Sequence, residues 1–162
     1  MIISPGMFVR TLSMLYEQAT SRSPDGIQYT GPAGWGTTGS RGMLAIRRVS
    51  TGEHTAWIEC ELSQYESGWF RESVLNDVNA SNKNRAPITP GDLVKCVRSE
   101  RQFRKQPIAN DPDSWSERWM QRDSVGTCLS IVSDVNIPCL RWAFILCDDN
   151  VGWLEEPSLT IA

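Results

Sequence analysis

An internal repeat limits what this chain can fold into more than any other feature. Ile3-Ser-Pro-Gly-Met-Phe-Val9-Arg10 returns as Ile88-Thr-Pro-Gly-Asp-Leu-Val94-Lys95, and the step from residue 3 to residue 88 is 85. Gly68-Trp69-Phe70-Arg-Glu72-Ser-Val-Leu75 returns as Gly152-Trp153-Leu154-Glu-Glu156-Pro-Ser-Leu159, where the step from 68 to 152 is 84. Gly42 and Gly126 share the second spacing, as do Trp35 and Trp119. Several matches at nearly one spacing are the mark of duplication. The 162 residues therefore divide into a first copy over 1–78, a linker over 79–87 and a second copy over 88–162. The linker, Asn79-Ala-Ser-Asn-Lys-Asn-Arg-Ala-Pro87, is polar and has no apolar periodicity. A domain of about eighty residues buries only about 60% of its unfolded surface, so each copy gains by docking against the other or against a partner.

Within each copy, short β-type runs are bounded by turn residues. The first copy offers Met7 to Leu12, Met43 to Val49, Thr55 to Leu62, Gly68 to Arg71 and a piece near Val74. The second offers Leu93 to Val97, Val125 to Val132, Cys139 to Cys147, Gly152 to Glu155 and Leu159 to Ile161. Five short strands per copy predict an all-β fold, a small barrel or sandwich. In the third strand, the 84 spacing lays Ala56, Ile58, Cys60 and Leu62 over Leu140, Trp142, Phe144 and Leu146, all apolar, and makes this the inward face. Trp57, Glu59 and Glu61 then point outward in copy one, and Arg141, Ala143, Ile145 and Cys147 in copy two. An outward row of Ala143, Ile145 and Cys147 needs a cover, which makes those residues interface candidates.

Each copy also carries a long segment between its first two strands, Ser13 to Arg41 and Arg98 to Ser124. Segments of that length hold extra structure or do the binding. Asp111-Pro112-Asp113-Ser114 predicts a capped helical turn that sets Trp115 and Trp119 one turn apart. Seven Trp residues are a heavy load for this length, and Trp57, Trp115 and Trp119 join the interface candidates.

The Pro-Gly lead into the first strand, the long first loop, the central hairpin, and the Gly-Trp-Phe/Leu strand followed by a turn and an apolar residue resemble the SH3-like small-barrel superfold. The resemblance covers both halves and implies two tandem SH3-like barrels with long first loops. In signalling members of that superfold a Trp near the central hairpin grips proline-rich peptides. Trp57 is the nearest match in copy one, and the 84 spacing puts Arg141 in its place in copy two. Fold resemblance assigns no function by itself.

The single His, His54, sits beside Gly52 and Glu53 in a predicted hairpin tip, a poor place for a nucleophile and its base. The chain is therefore expected not to be an enzyme. Cys60, Cys96, Cys128, Cys139 and Cys147 include no C-x-x-C pair and read as reduced thiols, so no metal and no cofactor is expected. Asp148-Asp149-Asn150 reads as a hairpin turn, and the glycines from Gly31 to Gly42 as turns. The longest apolar run, Trp142 to Cys147, is too short to span a bilayer, and the start of the chain lacks a signal-peptide pattern. A cytoplasmic or intracellularly assembled location without membrane contact is expected.

Two functional readings follow. The first is a non-enzymatic protein-interaction or structural module that binds other proteins or itself within a larger assembly such as a virus or phage particle. The second is a nucleic-acid-associated module using the basic run Lys95, Arg98, Arg101, Arg104 and Lys105 beside Trp115 and Trp119. An excess of 19 acidic over 16 basic residues weighs against the second.

Overall fold

Alternating apolar residues between Gly, Pro and Asp turns satisfy the backbone only by pairing strands, and this is what the chain does. The computed structural model describes residues 1–11, 42–52, 55–63, 66–80 and 85–162. Among these, all regular structure is β-strand or a single turn of 3-10 helix. The chain divides into two compact units, Met1–Ser81 and Asn82–Ala162, and the division falls within the polar stretch 79–87.

The first unit contains β1 (Phe8–Thr11), β2 (Met43–Gly52), β3 (Thr55–Ser63), β4 (Glu66–Arg71), a 3-10 turn over Glu72–Val74, and β5 (Leu75–Asp77). The second contains β6 (Leu93–Cys96), β7 (Arg101–Arg104), a 3-10 turn over Pro112–Ser114, β8 (Trp115–Met120), β9 (Gly126–Ser133), β10 (Arg141–Cys147), β11 (Asn150–Glu155), a 3-10 turn over Glu156–Ser158, and β12 (Leu159–Ile161). The sheet orders are β4-β3-β2-β1-β5 and β12-β6-β9-β10-β11-β7-β8. Without the β7–β8 hairpin, the second order is the first read from the opposite edge.

The match extends to single hydrogen bonds. Gly6 N–H donates to the Ala45 carbonyl at 2.8 Å, and Gly91 N–H donates to the Cys128 carbonyl at 2.8 Å. Both glycines hold a left-handed backbone, φ 95° and 97°, which explains the Gly of each Pro-Gly pair. At the far end, Val78 N–H donates to the Phe8 carbonyl at 2.9 Å, and Ala162 N–H to the Leu93 carbonyl at 2.8 Å. Each last strand follows a 3-10 turn closed onto a glutamate carbonyl, Leu75 N–H to Glu72 and Leu159 N–H to Glu156.

The register moves the gaps between the copies and reverses one expectation. Ala45 pairs with Cys60, then Ile46 is skipped and Arg47 pairs with Glu59; Cys128 pairs with Ile145, then Leu129 is skipped and Ser130 pairs with Phe144. The same bulge thus recurs at a spacing of 83, from 45 to 128, while Cys60 answers to Ile145 at 85. Cys60 pairs with Gly68 and Ile145 with Gly152, where the spacing has become 84. The residue lost from copy two therefore lies between Glu61 and Ser67, at the bulge between Glu61 and Ser63 that β3 carries and β10 lacks. Gly126 stands opposite Val94 as Met43 stands opposite Val9, so Gly126 is the counterpart of Met43, not Gly42.

A one-residue slip turns every side chain of a strand to the other face. Ala143, Ile145 and Cys147, expected outside, lie in the second core with Val94, Phe103, Cys128, Leu154 and Leu159. Ile58 and Cys60, the counterparts of Ala143 and Ile145, lie in the first core with Val9, Ala45, Phe70 and Leu75. Fully burying a side chain such as Ile58 or Ile145 contributes about 1.5–3 kcal/mol, so the core face is fixed by packing.

The segment Arg98 to Ser124 is not a loop. It builds the β7–β8 hairpin, which joins the sheet where Arg104 pairs with Trp153. The expected turn at Asp111 forms, with the Asp111 carboxylate accepting from Asp113 N–H at 3.0 Å, but Trp115 and Trp119 follow it on a strand. The corresponding part of copy one, together with Trp35, the glycines from 31 to 39 and His54, lies outside the described residues.

Candidate functional site

With Ala143, Ile145 and Cys147 turned inward, the opposite face of β10 presents Trp142, Phe144 and Leu146. Their cross-strand neighbours are Glu155, Trp153 and Val151 on β11, and Val132, Ser130 and Thr127 on β9. This outer face of the second sheet has two parts of different character.

One part is closed by a buried cation. Arg104 has no exposed surface; its guanidinium carbon lies 3.7 Å from the centre of the Trp115 ring and 5.0 Å from that of Trp142. Its Nη2 is 4.0 Å from Glu155 Oε2, and its Nη1 donates to the Ile108 carbonyl at 3.3 Å. Arg101 Nε donates to the other Glu155 oxygen at 2.6 Å, so one buried carboxylate serves two arginines. A planar guanidinium between indole faces and opposite a carboxylate can be buried because its charge is met by an anion and by aromatic faces, and Nη1 adds a hydrogen bond to a carbonyl.

Asp134 completes this part. Its carboxylate accepts from the Trp142 indole N–H at 2.9 Å and from the backbone N–H groups of Ala109, Asn136 and Ile137 at 3.0, 2.9 and 2.7 Å. Burial alone would push the carboxyl up, but these four donors together hold it below the usual aspartate value. Asp134 thereby ties the segment around Ala109 and the turn around Ile137 to the sheet. The sequence reading missed it, and the only local signal was an Asp directly after an apolar strand, with Asn136 two residues on.

The basic run is not one surface. Lys95 and Lys105 are exposed and Arg98 is half-buried, while Arg101 and Arg104 are engaged with Glu155. Trp115 is in the buried stack, and Trp119, 43% exposed, lies opposite Gln102 on the sheet's edge hairpin. The structure thus separates residues that the sequence reading grouped.

The other part of the face is open. Leu93, Thr127, Leu146 and Val151 are successive cross-strand neighbours on β6, β9, β10 and β11. Leu93 is 53% exposed, Leu146 40% and Val151 48%. In the next row, Phe144 and Trp153 lie ring to ring at 4.9 Å, tilted by 46°, and both are half-buried. Three of the four strands therefore present an exposed apolar side chain in one row, interrupted by the half-buried Thr127.

The same positions in the first unit are filled differently. Phe8, Leu44, Glu61 and Ser67 form the matching row, and none is more than 7% exposed. Glu59 and Trp69 occupy the places of Phe144 and Trp153 and are buried. Ser67 Oγ donates to Glu59 Oε2 at 3.1 Å, and Arg47, lying 4.7 Å above the Trp69 ring, brings its Nε to 3.9 Å from the other oxygen. Burial pushes the Glu59 carboxyl above its usual value, against the pull of Ser67 and Arg47. Trp57 is half-buried under Arg71 at 5.5 Å, and its counterpart by pairing is Trp142 and not Arg141, since Val49 faces Trp57 as Val132 faces Trp142.

All five cysteines are free, four of them buried, and burial pushes the Cys96 thiol up to about 11. Among the described residues no cluster of three His, Cys, Asp or Glu is placed to hold a metal ion. No described helix is long and apolar enough to cross a membrane. No protein-family model and no curated protein matches the chain.

Proposed function

We propose that this chain is a non-enzymatic protein-interaction or structural module, made of two tandem SH3-like small barrels, that takes a protein partner on the outer face of its second sheet. The observation that carries the reading is the open row Leu93, Thr127, Leu146 and Val151, backed by the Phe144–Trp153 pair. Partner surfaces combine apolar contact with exposed aromatics, and the row supplies the first while Trp119 supplies one of the second. The barrel reading rests on the shared five-strand order, the Pro-Gly turn before the first strand and the 3-10 turn before the last. The partner is another protein of a larger assembly, such as a virus or phage particle formed inside the cell, or a second copy of the chain.

The nucleic-acid reading is weaker because Arg101 and Arg104 spend their charge on Glu155, which leaves Lys95 and Lys105 as the exposed cations of the run. The two readings separate in one experiment. The complex is isolated from its source in mild salt, with and without nuclease, from wild type and from Leu146→Asp. Protein partners that survive nuclease and are lost on Leu146→Asp support the interaction module. Association released by nuclease and unaffected by Leu146→Asp would reject it.

A further inference from the structure

We draw no further inference here: the strongest candidate, the surface patch of the exposed Leu93, Leu146 and Val151 across the outer face of the second sheet, belongs to the site already described, and nothing in the structure shows what covers it.

Discussion

The two units share a backbone register almost hydrogen bond for hydrogen bond, yet they treat the outer face of the sheet in opposite ways. The first places two carboxylates there, Glu59 and Glu61, and buries both; the second places Phe144 and Leu146 at the same positions and leaves Leu146 open. Burying a carboxylate costs free energy that hydrogen bonds must offset, whereas exposing leucine and valine costs the burial that a partner would restore. Duplication preserved what the backbone requires and left this face free to diverge. Within the second unit, Arg104 on the β7–β8 hairpin closes one part of the face and leaves the other as a defined row.

The largest effect is expected in the second core. Ile145→Asp puts a charge into the second core and should abolish folding of that unit, so its tryptophan signal and amide protection are lost together. If the variant folds normally, the inward assignment of Ile145 is wrong. Glu155→Gln should come next. It strips the anion from a buried Arg104 and a half-buried Arg101, and breaking a buried pair in this way costs about 3–5 kcal/mol, readable as a lowered midpoint in urea. Arg104→Met should cost clearly less, because a long apolar side chain can keep packing between Trp115 and Trp142 without leaving an uncompensated cation. Equal losses would show that the stacking, not the charge pair, dominates.

A smaller effect separates the units by pH. Asp134 has a lowered carboxyl, so its contribution is present above the unfolded aspartate value and is lost as pH falls through the folded one. Asp134→Asn should therefore destabilise at neutral pH and converge on wild type in acid. Glu59 has a raised carboxyl, so its contribution is present in acid and is lost as pH rises through the folded value. Glu59→Gln should therefore improve relative to wild type on going from acid to neutral pH. Urea titrations at several pH values check both, and parallel curves for the two variants would contradict the assignment. The smallest effect on stability belongs to Val151→Ser on the open row, which should stay within about 0.5 kcal/mol of wild type while weakening partner capture. A loss of several times that would mean the row is structural.

Much of the fold was legible in the sequence because it rests on local backbone demands. Pro-Gly marks a left-handed turn, Gly-Trp marks β4 and its counterpart β11, and the turn residues bracket the strands. The candidate face was not legible, because the spacing on either side of strand three leaves the missing residue unplaced, and strand parity depends on where it falls. Ala143, Ile145 and Cys147 are as apolar as Trp142, Phe144 and Leu146, so composition could not arbitrate. A better signal was the turn Asp148-Asp149, since a two-residue loop pairs Ile145 with Gly152 and sets Ile145 rather than Phe144 opposite the repeat glycine. The Arg104 stack gathers residues 104, 115, 142 and 155 from four strands, which no local pattern foretells.

The most direct test compares neighbouring thiols on opposite faces of β10. In the Leu146→Cys variant, maleimide labelling followed by peptide mass spectrometry reports the introduced thiol and the native Cys147 in one experiment. The thiol at position 146 should label quickly in the purified protein and be protected in the isolated native complex, while Cys147, buried in the core, should stay unlabelled until the unit unfolds. Rapid labelling of Cys147 in the folded protein, or a thiol at position 146 that labels equally fast with the partner bound, would contradict the account.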